Sequence, residues 1–399
     1  CYTPFFYDKA RFQMSDFDLV LDRRGSNSSK WGKYAGTDIL PMWVADMDFK
    51  IPQQIIDAIC KRAEDGIFGY EGAPPELKEV IVGRLEKLYD WEVGEEEILF
   101  LPGVVPALNQ ACRALVGPGE SVVTATPIYY PFLSAPENWD RKLHRVACDK
   151  GQDTWPFPVE AMAASLAENS ETSLLLLCNP FNPVGRMLNA EELGGIVEMC
   201  REHDVWICSD EIHCELILDD KRHIPTATIS REAEDITITL MAPTKTFNLA
   251  GLGGSFAVIK NPALREKFVH GARGMVSRPT TFGFLSMLTA YRECEPWREA
   301  LLDYLRANRD YLASRVEAIA GVSMSPVEAT YLAWLDVSKL DLDDAMVFFE
   351  AAGVGLSDGG QFDGPGYMRL NFACPMATLV DACDRIENAA NSRNDQAKK

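Results

Sequence analysis

Ile236-Thr237-Ile238-Thr239-Leu240-Met241-Ala242-Pro243-Thr244-Lys245-Thr246-Phe247-Asn248-Leu249-Ala250-Gly251-Leu252-Gly253-Gly254 is the stretch on which the fold turns. A β-branched run ends, and a lysine follows in a polar turn. A Gly-rich segment then feeds a second strand-like run, Ser255-Phe256-Ala257-Val258-Ile259. A lysine at the carboxyl end of a strand stands where open α/β sheets bind ligands. Held there and desolvated, its amine becomes the kind of nucleophile that a Schiff base requires. Taken alone, the stretch reads first as a solvated loop lysine, because most lysines are exposed.

Two upstream runs repeat the pattern. Leu174-Leu175-Leu176-Leu177-Cys178 is apolar throughout, as a strand buried on both faces is, and ends in Asn179-Pro180-Phe181-Asn182-Pro183-Val184-Gly185. Val205-Trp206-Ile207-Cys208-Ser209 ends in Asp210-Glu211-Ile212-His213. Between them Asn189, with Glu192 three residues on, forms a capping box that opens a helix to about His203. Strands alternating with helices imply a parallel sheet covered on both faces, and right-handed crossovers bring the strand ends to one side. Asn182, Asp210 and Lys245 therefore share one edge.

Further out, Ile98–Leu101 reads as a strand, followed by Gly103-Val104-Val105-Pro106 and a helix over Ala107–Leu115. Free amides and a helix dipole at such a turn make an anion cup. Ser121–Thr124 is another strand, leading to Tyr129. Helices are expected after Pro52 and over Pro75–Tyr89. An irregular arm up to about Asp48 carries Trp43-Val44-Ala45-Asp46-Met47-Asp48. After about Arg278 the pattern becomes α+β. A long helical stretch runs from Thr281 to about Ala318, interrupted near Pro296. Strands follow at 331–336 and 367–372, and a helix from about Met376 to Ala390. The polar tail Asn391–Lys399 reads as frayed. The division is an N-terminal arm 1–50 belonging to the small domain, a large domain 51–290 and a small C-terminal domain 291–399.

The 399 residues carry a net charge of −20, which argues against nucleic acid and anionic membrane surfaces as main partners. No apolar run approaches the roughly 18 residues of a membrane span. The opening Cys1–Lys9 lacks a basic region followed by an apolar core, so no secretory signal is expected. Eleven cysteines without a Cys-x-x-Cys pair suit buried reduced thiols in a cytoplasmic protein rather than disulfides or a metal site.

A cofactor with an aldehyde, a pyridine ring and a phosphate uses all these features. Lys245 supplies the imine, and Asp210 keeps a ring nitrogen protonated. Asn182 donates to a ring oxygen and Tyr129 stacks on the ring. The amides around Val104 and Val105 take the phosphate, and Arg369 clamps a substrate carboxylate. Each residue also has a plainer reading: a turn cap for Asn182, core for Tyr129, a helix N-cap for Asp210, an ion pair for Arg369. The ordered joint pattern favours the site.

Together Asn179–Gly185, Ser209–His213 and Ala242–Leu252 make the chain resemble fold-type I pyridoxal-phosphate enzymes of the class I/II aminotransferase superfamily. With Trp43–Asp48, Phe68-Gly69-Tyr70, Gly103–Pro106, Thr330–Asp336 and Arg369-Leu370-Asn371, it is similar more narrowly to the MalY/PatB group, the cystathionine β-lyase or C–S lyase branch. The resemblance implies an α/β fold with a mostly parallel central sheet and a smaller α+β domain. It implies pyridoxal 5'-phosphate bound by Lys245, Asp210, Asn182, Tyr129, His213, Val104, Val105 and Thr244. It implies a homodimer in which Tyr70 reaches the neighbouring subunit's phosphate, and a substrate held by Arg369, Ala45 and Tyr331. His213 stands where many aminotransferases have Tyr, the habit of the lyase branch. Ala242 and Gly253 stand where a phosphate-binding Ser and Arg are common. The implied reaction is α,β-elimination from an amino-acid thioether, giving pyruvate, ammonia and a thiol. Alternatives are transamination with 2-oxoglutarate and a regulatory protein that binds a transcription factor. A nicotinamide enzyme would want Gly-x-Gly-x-x-Gly after an early strand; Gly251–Gly254 comes too late.

Overall fold

Seven strands form one sheet: β1 (Ile98–Leu101), β2 (Ser121–Thr126), β3 (Lys142–Ala147), β4 (Thr172–Cys178), β5 (Trp206–Asp210), β6 (Thr237–Met241) and β7 (Ser255–Val258). Their order across the sheet is β1-β7-β6-β5-β4-β2-β3. From β6 to β3 all neighbours are parallel, and only β7 runs against both of its neighbours. The computed structural model describes residues 14–151 and 154–397. The reading of Cys1–Lys9 therefore lies outside the described residues.

The apolar runs explain the middle of the sheet. Leu174, Leu175, Leu176 and Leu177 of β4 are all buried, each worth roughly 1.5–3 kcal/mol relative to exposure. Helix Ala190–Glu202 returns the chain to β5, and its capping box is present. Asn189 Oδ1 accepts from the Glu192 amide at 2.9 Å, and Glu192 Oε2 accepts from the Asn189 amide at 3.0 Å. Because β4, β5 and β6 are adjacent and parallel, Asn182, Asp210 and Lys245 all follow the same edge. The reversed β7 lets β1 run in the same sense as β6, so the turn after β1 reaches that edge too.

A second sheet of four strands is centred on Leu332–Asp336 and Tyr367–Asn371, paired antiparallel with Trp334 opposite Arg369. The arm joins this side of the molecule through Leu40 opposite Val354 and Pro41 opposite Gly355. Helices Thr281–Glu293 and Glu295–Glu317 make up the long stretch, with Pro296 in the first turn of the second, where a missing N–H does no harm.

Two expectations change, and one strand was not foreseen. The helix after Gly103 begins at Val104, not Ala107, because Pro106 fits within a first turn. Strand β3 (Lys-Leu-His-Arg-Val-Ala) escapes the sequence pattern: it is an edge strand with mixed exposure and little apolar run. As far as Ala397 the tail is not frayed, since the last helix continues from Met376 to that residue; Lys398 and Lys399 lie outside the described residues. Arg393 Nη2 donates to Asp341 O and Asn394 Nδ2 to Ala320 O, each at 2.8 Å, and these bonds tie the end down.

Candidate active site

Lys245 sits in a tight turn directly after β6, where the Phe247 amide donates to Pro243 O and the Leu249 amide to Thr244 O, both at 2.9 Å. Its Nζ donates to the carbonyl of Ala45 at 2.6 Å. Burial pulls its amine down to about 8; Arg369 adds to this, while Asp46 and Asp210 oppose it. An amine so held is neutral in a useful fraction at physiological pH.

Asp210 closes β5. Burial pushes its carboxyl up to about 7, against the pull of the Ile212 amide and of Lys245. The Ile212 amide donates to Oδ1 at 3.0 Å. The N-cap-like bond is thus made with one oxygen, in a turn rather than a helix, and no donor among the described residues takes Oδ2. A carboxylate in this condition favours a cationic partner.

Arg369 lies in the strand Tyr367–Asn371 and is 3% exposed. Nη1 donates to Asn182 Oδ1 at 3.1 Å and Nη2 to Trp43 O at 3.0 Å, and the guanidinium lies 4.5 Å from the Phe362 ring centroid. Among the described residues no carboxylate comes within ion-pair distance, and Nε has no partner. Burial pulls the guanidinium down to about 10. The ion-pair reading of Arg369 therefore fails, and a buried, acid-free guanidinium is what an anionic ligand needs. Asn182, with Oδ1 engaged by Arg369, keeps Nδ2 as a donor. Its carbonyl accepts from the Tyr129 amide at 3.2 Å, which ties the Tyr129 ring to the same edge. Tyr130 packs on Tyr129 with centroids 4.8 Å apart.

His213 follows in the turn after Asp210. Burial, with Lys245 and Arg369 nearby, pushes it down to about 3, so the imidazole is neutral. Its Nδ1 is buried without a partner, and its ring meets Tyr331 edge-on at 6.0 Å. Tyr331 Oη donates to Ala45 O at 3.1 Å. On the far side of Lys245, helix Val104–Leu115 opens without a side-chain cap on Gly103. The amides of Val104 and Val105 precede the first intrahelical bond, which runs from the Ala107 amide to Gly103 O. Thr244 is buried, and its hydroxyl makes no hydrogen bond among the described residues. Gly253 has φ +73°, and a Cβ there would lie 3.1 Å from Pro102 O. A residue with a side chain, arginine included, is strained at that position. Tyr70 is not brought into this site: its side chain is fully exposed.

The arm is the part that sequence reasoning undervalued. Trp43 O accepts from Arg369 and from Ser357 Oγ (2.8 Å); Ala45 O accepts from Lys245 and Tyr331. Asn371 Nδ2 donates to Val44 O at 2.7 Å and Asp46 O at 2.6 Å. Asn248 accepts from the Met47 amide and donates to the Met47 and Phe49 carbonyls, each at 3.0 Å. Two asparagines thus clamp one segment over the site. The available signal was an Asn inside an apolar strand, at 371, and another three residues after the lysine.

Known proteins that resemble this chain do so over nearly its whole length. The family model for aminotransferase class I and II matches residues 37–386. Cystathionine beta-lyase PatB of Bacillus subtilis (strain 168) is 37% identical, covering 94% of this chain and 99% of that protein. The crystal structure of OvoB superposes with a TM-score of 0.92 at 43% identity, covering 94% of this chain and 99% of OvoB. Cystalysin from Treponema denticola, whose structure contains a pyridoxal 5'-phosphate cofactor, has a TM-score of 0.90 at 31% identity, over 94% of this chain and 99% of cystalysin. With the match spanning the sheet, the lysine turn and the smaller sheet alike, the chain belongs to the aminotransferase class I and II family.

Proposed function

We propose that this protein is a pyridoxal-phosphate-dependent carbon–sulfur β-lyase. It cleaves cystathionine or a related cysteine S-conjugate to pyruvate, ammonia and a thiol. The observation that carries the reading is the gathering on one edge of a depressed lysine amine, a carboxyl raised by burial and an acid-free guanidinium: Lys245, Asp210 and Arg369. The likeness to PatB and the neutral His213 support C–S cleavage over amino transfer.

The residues fit the cofactor. The uncapped amides of Val104 and Val105, with the Thr244 hydroxyl, suit its phosphate. Asp210 suits its ring nitrogen, Asn182 Nδ2 and His213 its ring oxygen, and Tyr129 its ring face. Bound there, the cofactor supplies an aldehyde that captures amines and a protonated ring that accepts the electron pair of the substrate α-carbon. Arg369, with the backbone near Ala45, holds the substrate carboxylate and orients the α-hydrogen; Tyr331 lines the same side. The Lys245 amine accepts the α-proton at Nζ, and Asp210 keeps the ring-nitrogen proton in place. The thiol leaves from the β-carbon.

The working unit is a homodimer in which the partner subunit's Tyr70 completes the phosphate contacts. The full exposure of Tyr70 supports this, together with Phe68 and Ile67 exposed in the same loop. The chain divides into an arm 1–50, a large domain 51–290 holding the seven-stranded sheet and a small domain 291–399. We place it in the cytoplasm, which suits the ten free cysteines among the described residues. Among these residues no helix is long and apolar enough to cross a membrane.

The test is a pair of incubations: L-cystathionine alone, and an amino acid with 2-oxoglutarate. Pyruvate and free thiol from the first, without an oxo acid, is the expected result. Glutamate from the second, with no thiol from the first, makes the protein an aminotransferase.

A further inference from the structure

Lys30, in the short helix Ser29–Gly32, is only 1% exposed. A lysine is rarely placed so deep without a partner. Its Nζ lies 2.8 Å from Asp48 Oδ2 and 3.2 Å from Asp46 O, and 3.6 Å from Asp46 Oδ1. The two carboxylates differ. Asp48 is also held by Trp31 Nε1 at 3.0 Å and by Arg23 at 3.6 Å. The Asp46 carboxylate accepts no hydrogen bond among the described residues, although its Oδ1 is buried. That oxygen has only the Lys30 ammonium beside it, at 3.6 Å, in a side chain that is 28% exposed. Burial raises this carboxyl above its ordinary range, against the pull of Lys30, Arg23 and Lys245, and a carboxylate so weakly satisfied calls for a reason.

The reason lies next to it in the chain. Asp46 follows Ala45, whose carbonyl receives the Lys245 amine. We infer that Asp46 is the arm-side counter-charge of Lys245, anchored from behind by Lys30, and a positioning residue for the proton that this amine carries. The inference rests on the proposed role of Lys245. The charged groups facing Lys245 are Asp46 from the arm, Asp210 from β5 and Arg369 from the smaller sheet; His213 and Tyr331 are neutral neighbours. Those facing Asp46 are Lys30, Asp48, Arg23 and Lys245. Asp46 and Asp210 favour the protonated amine, and Arg369 opposes it. Without Asp46, Arg369 is opposed by Asp210 alone. Asp46 touches no reacting atom in this scheme; it acts through Lys245.

The experiment is a pH titration of the visible absorbance of the cofactor-loaded enzyme, which follows protonation at the Lys245 nitrogen. Wild type is compared with Asp46→Asn and Asp48→Asn. Asp48→Asn breaks the same arm cluster at a residue that does not act on Lys245, and so controls for loosening of the arm. We expect Asp46→Asn to lower the midpoint by about 0.5–1 unit, a roughly three- to tenfold loss of proton affinity, and Asp48→Asn to move it by less than about 0.2 unit. An unmoved midpoint in Asp46→Asn, with wild type loaded and cleaving thioether, overturns this inference and leaves the lyase reading intact. Equal shifts in both variants overturn it as well, because loosening then explains them. A wild type that takes up no cofactor overturns the lyase reading and this inference together.

Discussion

Arg369 Nη1 and Asn182 Oδ1 meet at 3.1 Å, joining a strand of the smaller sheet to the loop that leaves β4. The bond makes the proposed anion clamp and the proposed donor for the ring oxygen a single unit. Arg369→Gln removes the charge and the two-pronged donor, and leaves Asn182 Oδ1 without its cation. Loss of a charged hydrogen bond costs about 1.5–3 kcal/mol, so kcat/KM falls roughly 10- to 150-fold, mostly through KM. Arg369→Lys keeps the charge but not the fork, and recovers only part of the loss. Steady-state kinetics on L-cystathionine measures both.

Lys245→Ala removes the amine that, on the proposed function, would hold the cofactor and accept the α-proton at Nζ. Thiol release falls at least about 10³-fold, and the visible band of the bound cofactor disappears. Pyruvate assay and an absorbance spectrum check this. Full activity in the variant rules out the assignment.

Asp210 links stability to pH in the cofactor-free protein. Its folded carboxyl titrates at about 7, above its ordinary 3.8. Between those values the folded chain holds a proton that the unfolded chain has released, so Asp210's contribution is favourable at low pH and is lost as pH rises to about 7. Three units correspond to at most about 4 kcal/mol. Asp210→Asn is therefore more stable than wild type at pH 8 without cofactor, and the gap closes toward pH 4. Urea unfolding at the two pH values measures it. In the loaded enzyme the same change slows turnover by about 10²-fold or more, because the ring nitrogen loses its counter-charge.

His213 titrates at about 3, so the pH profile of kcat/KM shows no limb near 6.5 belonging to this residue. His213→Tyr raises the share of turnovers that end in amino transfer, read as glutamate formed per pyruvate when 2-oxoglutarate is present. An unchanged ratio removes His213 from the choice of reaction.

What could be read in advance depended on how local the cause is. Asn182, Asp210 and Lys245 were legible because each ends an apolar run, and the parallel order of the strands does the rest. The capping box at Asn189 and Glu192 was legible because both partners lie within one turn. Strand β3 was not, since an edge strand needs no apolar alternation to pair. Lys30 was hidden for another reason: its partners lie 16 and 18 residues away, and Ser-Ser-Lys-Trp alone has the look of surface. The glycine at 253 first stood out as a missing phosphate ligand. Its φ of +73° and the nearby Pro102 carbonyl give it a cause of its own, in the turn.

The place of β1 has a consequence for how the protein is made. Its one neighbour in the sheet is β7, from Ser255 to Val258. The turn Gly103–Val105 is thus synthesised early but has no bed until about 150 more residues have emerged. The arm waits longer still: Val44 and Asp46 are gripped by Asn371, close to the end of the chain. Contacts of such separation are late and slow to form. A nascent chain stopped between Lys245 and the strand Tyr367–Asn371 carries Lys245 and Asp210 but lacks Arg369 and the grip on the arm, so the full set of proposed site residues is complete only near the close of translation.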